Sequence, residues 1–371
     1  YVSGLSRTAV HPSLPQWDLH LLNVPSDGAA ATAVLRVHHS LGDGVSLMSL
    51  LLACTRRTSD HQSLPSVPVA ASGKPQMGRG LLWWVRLWWN TAVDVVLFLA
   101  TALFLKDTET PLRRRGRGGR GGSACRRFVH TTVSFDDVLL VKNAVGATVN
   151  DVVLGVTKAG LSRYLNRRYA LETGEDRGST QSTNNLPQNI RFRAPLFINL
   201  RTTLGIPALA EMMDKGSVVD WGNRMGFVLL PFTIALKDDP IDYVREAKVV
   251  VDRKKHSLEA LFTFPIADFM IKYFGIKGGN AISYGVLSNT TILFSNMVGP
   301  REEIEFYGHP IRYLAPSCYG QPNALMIHVQ SYMNKMTFVL SVDEAVIPDP
   351  HRLCTDLEES LKLIKDAVLE T

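Results

Sequence analysis

Cysteine is scarce and scattered: Cys54, Cys125, Cys318 and Cys354 stand far apart among 371 residues. With no CxxC pair and no Cys/His spacing that suits zinc, nothing supports a disulfide framework or a metal site, and a reduced, intracellular protein is expected. No glycine loop opens a helix after a strand to cradle phosphate, no G-x-S-x-G turn presents a nucleophilic serine, and no internal repeat is visible. The chain opens on Tyr1 with no basic segment leading into a short apolar one, so no signal peptide is read and the natural N-terminus is expected to be missing. Charge is modest, at 20% of residues against 46% hydrophobic, which excludes a disordered chain and leaves enough apolar residues for one large or two smaller domains.

The formal net charge of +6 invites a nucleic-acid reading. Its distribution argues otherwise. Arg113, Arg114, Arg115, Arg117, Arg120, Arg126 and Arg127 fall within fifteen residues that hold no acid, and without them 33 basic residues face 34 acidic ones. Glycines interleave the run, as in a flexible linker; aromatic residues that would stack on bases do not, and no nucleic-acid partner is expected. Just before it, residues 81–105 form the one long apolar stretch, with Trp83, Trp84, Trp88 and Trp89, interrupted only by Arg86 and Asp94. Its length suits a membrane segment, and flanking arginines mark the cytoplasmic side and attract anionic lipid. The tryptophans fall on more than one helical face, so no clean amphipathic stripe is read, and a buried core helix is the alternative.

Beyond the linker, residues 128–135 read as a strand. Ser134 with Asp137, and Thr148 with Asp151, fit boxes that cap helix starts, the second helix running from about Val149 to Ala170. A polar loop covers 172–189, and a buried strand 195–201. Helical spacing covers 241–261, and 290–296 is a strand. Residues 324–333 and 336–342 form a hairpin turning at Asn334-Lys335, and Pro350 opens the closing helix. Helices and strands mix without a regular βαβ repeat, which points to an α/β sandwich.

The passage that carries chemistry is residues 31–55. Ala33 to His38 reads as a strand and Gly44 to Thr55 as an apolar helix capped by Asp43, with HHSLGDG (38–44) between them. Neighbouring side chains of an extended segment face opposite ways, so only one of His38 and His39 can reach a given pocket. A histidine titrates near neutrality and suits a base that takes a proton from an attacking alcohol. Asp43, in a tight turn between glycines, can orient the ring or brace the loop through an arginine.

HHSLGDG resembles the HHxxxDG motif of the CoA-dependent acyltransferases related to chloramphenicol acetyltransferase. Residues 14–23, the Asn150-Asp151 pair, PLFINLR (195–201) and SNMVGP (295–300) resemble, in order, segments of its plant wax ester synthase/diacylglycerol acyltransferase branch. The DFGWG segment of the BAHD branch is absent, and peptide-synthetase condensation domains belong to longer modular chains. The resemblance implies a two-subdomain α/β sandwich: a partial N-terminal subdomain over 1–110, the linker 111–127 and a C-terminal subdomain over 128–371. Since only 37 residues precede His38, it also implies that the chain is truncated at its N-terminus.

It further implies a fatty acyl group moved from acyl-CoA, a substrate and not a cofactor, to a fatty alcohol or diacylglycerol. His39 is then the general base, His38 the motif's support and Asp43 structural. Asn150, at a helix start, is a candidate for holding the oxyanion or the motif loop. Gly44, Asn199 and Arg201 are candidates for substrate binding, with Arg201 alternatively pairing Asp43. A single crossing at 81–105 would part His39 from Asn150, so the segment is expected to lie in the cytoplasmic leaflet of the endoplasmic reticulum, with the plasma membrane as the alternative. The alternative function is a lipid- or acyl-CoA-binding membrane protein that has lost transfer.

Overall fold

The computed structural model describes residues 1–26, 28–67, 80–113, 126–173, 183–201 and 221–370. Most of the arginine linker, with Arg114, Arg115, Arg117 and Arg120, and the centre of the polar loop lie outside the described residues. After a short helix α1 (Val2–Leu5), strands β1 (Trp17–Leu22) and β2 (Thr32–Val37) pair antiparallel and lead into helix α2 (Gly44–Ala53) and strand β3 (Arg56–Arg57). Helix α3 (Leu81–Leu103) precedes β4 (Arg126–Ser134), α4 (Phe135–Val145) and α5 (Val149–Thr173). Then come β5 (Phe192–Asn199), β6 (Met225–Phe232), α6 (Asp242–Lys255) and α7 (Glu259–Asn289). Strands β7 (Ile292–Met297), β8 (Ile304–Phe306), β9 (His309–Pro310), β10 (Leu325–Tyr332) and β11 (Lys335–Asp343) lead to helix α8 (Pro350–Leu369).

A mixed six-stranded sheet, in the order β4-β11-β10-β7-β5-β6, organises the molecule. Its register separates two faces, because side chains paired across a ladder share a side. Leu325, Ile327 and Val329 of β10 join Ile292 and Phe294 of β7 and Phe338 and Leu340 of β11 in the main core, which α4, α5, α6 and α8 cover. The alternate residues, among them Ser295, Met326, His328, Gln330 and Val339, point to the opposite face. There α2 seats Leu52 against Ile304 and Tyr332, whose hydroxyl accepts from the Ile304 N–H at 3.0 Å and donates to the Ile311 carbonyl at 2.7 Å.

Toward the β6 edge α3 and α7 pack on this same face, burying Phe98 with Leu229 and Val286. The contact is close: a Cβ on Gly285 of α7 would stand 2.1 Å from the Ala102 carbonyl oxygen of α3. Here α3 corrects the expectation of no stripe. Leu87, Asn90, Thr91, Asp94, Phe98 and Thr101 form a buried stripe at helical spacing. It escaped notice because it is the more polar side; Trp84, Trp88, Trp89, Val85 and Val96 face outward, each more than half exposed. Asp94, fully buried, accepts from Arg253 at 2.7 Å and lies 3.1 Å from Lys254. Lys254 in turn donates to Glu259 at 2.6 Å, so a buried charge cluster pins α3 to α6 and α7.

Three other expectations change. The helix expected over 241–261 ends at Lys255, and α7 begins at Glu259 and runs to Asn289 with a break at Gly275. The hairpin turns at Met333-Asn334, one residue early, with Met333 in the left-handed region. Where the arginine run is described, its side chains bond protein groups: Arg113 donates to the Asp107 and Ser288 carbonyls, and Arg127 bonds Glu344. Arg126 is buried in β4 and donates to the Gln321, Asn323 and Ala324 carbonyls. Orphan carbonyls of the 321–324 segment take up these guanidinium donors, which removes them from any membrane surface.

Candidate active site

Strand β2 delivers the two histidines to the end of the two-stranded ribbon. The His38 N–H donates to the Gln16 carbonyl at 2.8 Å, and its Nδ1 accepts from the Ser40 N–H at 3.2 Å and meets Ser40 Oγ at 2.6 Å. The His38 ring thereby caps the single 3-10 turn His39–Leu41. His39 opens that turn with its side chain exposed, and its carbonyl accepts from Asn223 at 3.1 Å.

Asp43 caps α2, as the pattern of residues predicts. Its Oδ1 accepts from the Ser46 N–H at 3.0 Å, while Oδ2 accepts from Arg201 Nη1 at 2.7 Å and from the Arg224 N–H at 3.0 Å. The residue has no exposed surface. Burial alone would raise its pKa, but the donors from Arg224, Ser46 and Arg201 outweigh that and hold the carboxyl below its ordinary value.

Asn199 and Arg201 do share a side, and their partners are protein. Arg201 donates to Asp43, to Ser46 Oγ at 3.0 Å, to Asn199 Oδ1 at 3.1 Å and to the Gly222 carbonyl. The alternative pairing expected for Arg201, with Asp43, is the one seen, and its guanidinium ties β5 to the motif loop. At Gly44 a Cβ would stand 3.2 Å from Met297 Sδ, so its smallness serves the approach of α2 to the end of β7.

Thr148 and Asp151 form the reciprocal cap of α5, the Thr148 N–H donating to Asp151 at 2.7 Å and the Asp151 N–H to Thr148 Oγ1 at 3.3 Å. Asn150, beside them, accepts a hydrogen bond from Asn296 of β7. Asn296 pairs with Val329, whose side chain enters the main core, so the structure brings Asn150 to Asn296 toward the helix-covered side.

Sequence reasoning missed two groups of residues here. Trp221 donates to the Leu41 carbonyl at 2.6 Å, and Asp43 N–H to that of Gly222 at 3.3 Å, so 221–224 forms a second wall of the loop. No pattern marks it. The other is His328, on the sheet face toward α2, 8% exposed, with Nδ1 buried and unpartnered. Burial, and then the positive charge His39 can carry, push its pKa down to about 4, so it is a neutral ring near neutral pH. A histidine alternating with Met326 and Gln330 in a strand whose other face carries Leu325, Ile327 and Val329 was the available signal. Among the described residues no cluster of His, Cys, Asp and Glu fits a metal ion. A cleft of about 170 Å³ lined by Arg163, Arg167 and Tyr243 lies among the helices on the opposite side of the sheet.

Known proteins resemble this chain in sequence and in fold. Residues 1–153 match the family model described as wax ester synthase/diacylglycerol acyltransferase catalytic domain, and residues 221–365 match the WS/DGAT C-terminal domain. Wax ester synthase/diacylglycerol acyltransferase 5 of Arabidopsis thaliana is 50% identical over 100% of this chain and 75% of its own length. Number 11 of the same plant is 48% identical over 100% of this chain and 77% of its own. The structure of the wax ester synthase/diacylglycerol acyltransferase from Marinobacter aquaeolei VT8 superimposes with a TM-score of 0.59 at 17% identity, over 99% of this chain and 75% of that one. At that identity the likeness is one of fold.

Proposed function

The chain belongs to the wax ester synthase/diacylglycerol acyltransferase family, and on that premise we propose that it moves a fatty acyl group from acyl-CoA directly onto the hydroxyl of a long-chain alcohol or of diacylglycerol. The observation that carries the mechanism is His39, exposed on a loop whose neighbour Asp43 is held by Arg201 and by two backbone N–H groups. His39 takes the acceptor's proton as its oxygen attacks the thioester carbon; the tetrahedral oxyanion collapses, the C–S bond breaks, and the imidazolium returns the proton to the sulfur. CoA leaves as thiol and an ester remains. His38 caps the turn that presents His39, and Asp43 holds the loop without taking a proton.

Replacing His39 by Ala should lower the rate of ester formation from palmitoyl-CoA and hexadecanol, or dioleoylglycerol, by about 10²–10⁴-fold. Near-normal turnover by the variant would exclude the general-base role. Acyl-CoA binding with no ester from the unsubstituted protein would favour a lipid-binding function instead.

The location proposed is the surface of a membrane, with α3 lying in the cytoplasmic leaflet of the endoplasmic reticulum and not crossing it. Support comes from both sides of α3. Its outer side is apolar and rich in tryptophan, and α7 continues that surface with Phe262, exposed and packed edge-on against Trp88. Arg86 stands exposed on α3 itself, suited to anionic headgroups. The inner side carries Asp94 into a cluster with Arg253 and Lys254, a contact that lipid on all sides would forbid.

A further inference from the structure

The sheet places a second histidine toward the first. Alternation on β10 sends Leu325, Ile327 and Val329 into the core and turns His328 to the face that carries α2 and the motif loop. Across the ladder His328 stands level with Ser295 of β7, whose side chain shares that face; strand spacing puts their backbones about 5 Å apart. Ser295 is half-buried, and His328 is more than nine-tenths buried with Nδ1 left without a partner. A buried polar atom is rarely left unpaired, which singles out this ring among those of the sheet. Met297, which shares this face two residues beyond Ser295, stands 3.2 Å from where a Cβ on Gly44 would lie, so the loop carrying His39 closes over the same end of the face.

Acyl transfer through His39 needs hydrogen-bond donors for the oxyanion. Asn150, the residue the sequence suggests, is engaged with Asn296 toward the other side of the sheet. We propose that His328, with the Ser295 hydroxyl beside it, is a catalytic residue that donates a hydrogen bond to the oxyanion formed on the acyl carbonyl when His39 activates the acceptor. The inference rests on the acyl-transfer reading given above. A neutral imidazole offers one N–H and adds no positive charge to oppose the imidazolium that His39 becomes. The balance is simple: His39 carries the transferred proton from acceptor to sulfur, and His328 keeps its own throughout. The carbonyl oxygen gains its charge as the new C–O bond forms and gives it up as the C–S bond breaks.

The test compares His328→Leu, His328→Gln and Ser295→Ala with the unsubstituted protein, measuring kcat and KM for palmitoyl-CoA at saturating hexadecanol, alongside thermal unfolding. Loss of one such donor lowers kcat by about 10²–10³-fold. That loss is expected in His328→Leu with KM little changed, with partial recovery in His328→Gln, which restores an N–H, and a smaller fall in kcat in Ser295→Ala. An unchanged kcat in a folded His328→Leu, or a loss confined to KM, overturns the assignment. Should the leucine variant not fold, Ser295→Ala and His328→Gln decide: full kcat in the first together with no activity in a folded second overturns it. Failure of the unsubstituted protein to form ester would instead refute the acyl-transfer reading, and this inference with it.

Discussion

Replacing Asp43 by Asn leaves the Arg201 guanidinium buried without its counter-charge, next to the Gly222 carbonyl and Ser46. Breaking a buried pair in this way costs about 3–5 kcal/mol, so D43N should lower the denaturation midpoint markedly and reduce turnover with it. The pH dependence has a definite sign. The folded carboxyl lies below its ordinary 3.8, so its contribution is complete above that pH and is lost as the pH falls through and below it. Unfolding followed from pH 6 to pH 2 should show this acid-side decline in the native protein and a weaker one in D43N. Gly42 offers a second test at this scale: a Cβ there would stand 2.8 Å from Ser46 Cβ, an atom fixed to the helix backbone. At Gly44 the obstacle is the movable end of Met297. Gly42→Ala should therefore lower kcat more than Gly44→Ala, as steady-state kinetics of the two would show.

At the scale of elements, α3 has two faces with opposite tasks, and each can be altered alone. Replacing Trp84, Trp88 and Trp89 together by Ser should weaken sedimentation with anionic liposomes while leaving the melting temperature nearly unchanged, since these side chains are at least half exposed. Asp94→Ala should do the reverse, leaving Arg253 and Lys254 short of an acid at the α3–α6–α7 junction. Glu259, in the same junction, is raised by burial to about pKa 7, against the pull of Lys254. Its folded form holds a proton more tightly than the unfolded chain, so it favours folding below pH 4.5, and that contribution is lost as the pH rises toward 7. Glu259→Gln should flatten the stability profile across that window, an effect visible in chemical denaturation at pH 5 and pH 7.5.

For the whole molecule, the placement of α3 sets what can fold alone. A fragment beginning at residue 126 would bare Leu229 and Val286 and strip Asp94 from the junction, so it should be insoluble. Co-expression with residues 80–113 should return it to solution. The same feature shows where sequence reasoning stopped. Local signals served well: Ser134 and Thr148 cap helices, Asp43 caps α2, and the β10–β11 hairpin lies within one residue of its expected turn. The missing pieces are those decided by distant partners. Arg126 reads as part of a solvated run until the carbonyls of 321–324 are placed beside it, nearly two hundred residues on. The polar inner side of α3 is uninterpretable without Lys254, and nothing in residues 221–224 announces that they wall the motif loop. His328 becomes conspicuous only when β10 lies next to β7 and one face is assigned to the core.

That shared face has a kinetic consequence. The motif loop and the α3–α7 pair stand on one side of a single sheet, so the proposed docking through the tryptophans would turn the His39 side of the protein toward lipid. Both the acceptor and the ester are nearly insoluble in water, and neither would need to cross it. Turnover should then follow the mole fraction of acceptor within vesicles, and diluting that acceptor with inert lipid at constant bulk concentration should slow the enzyme in proportion.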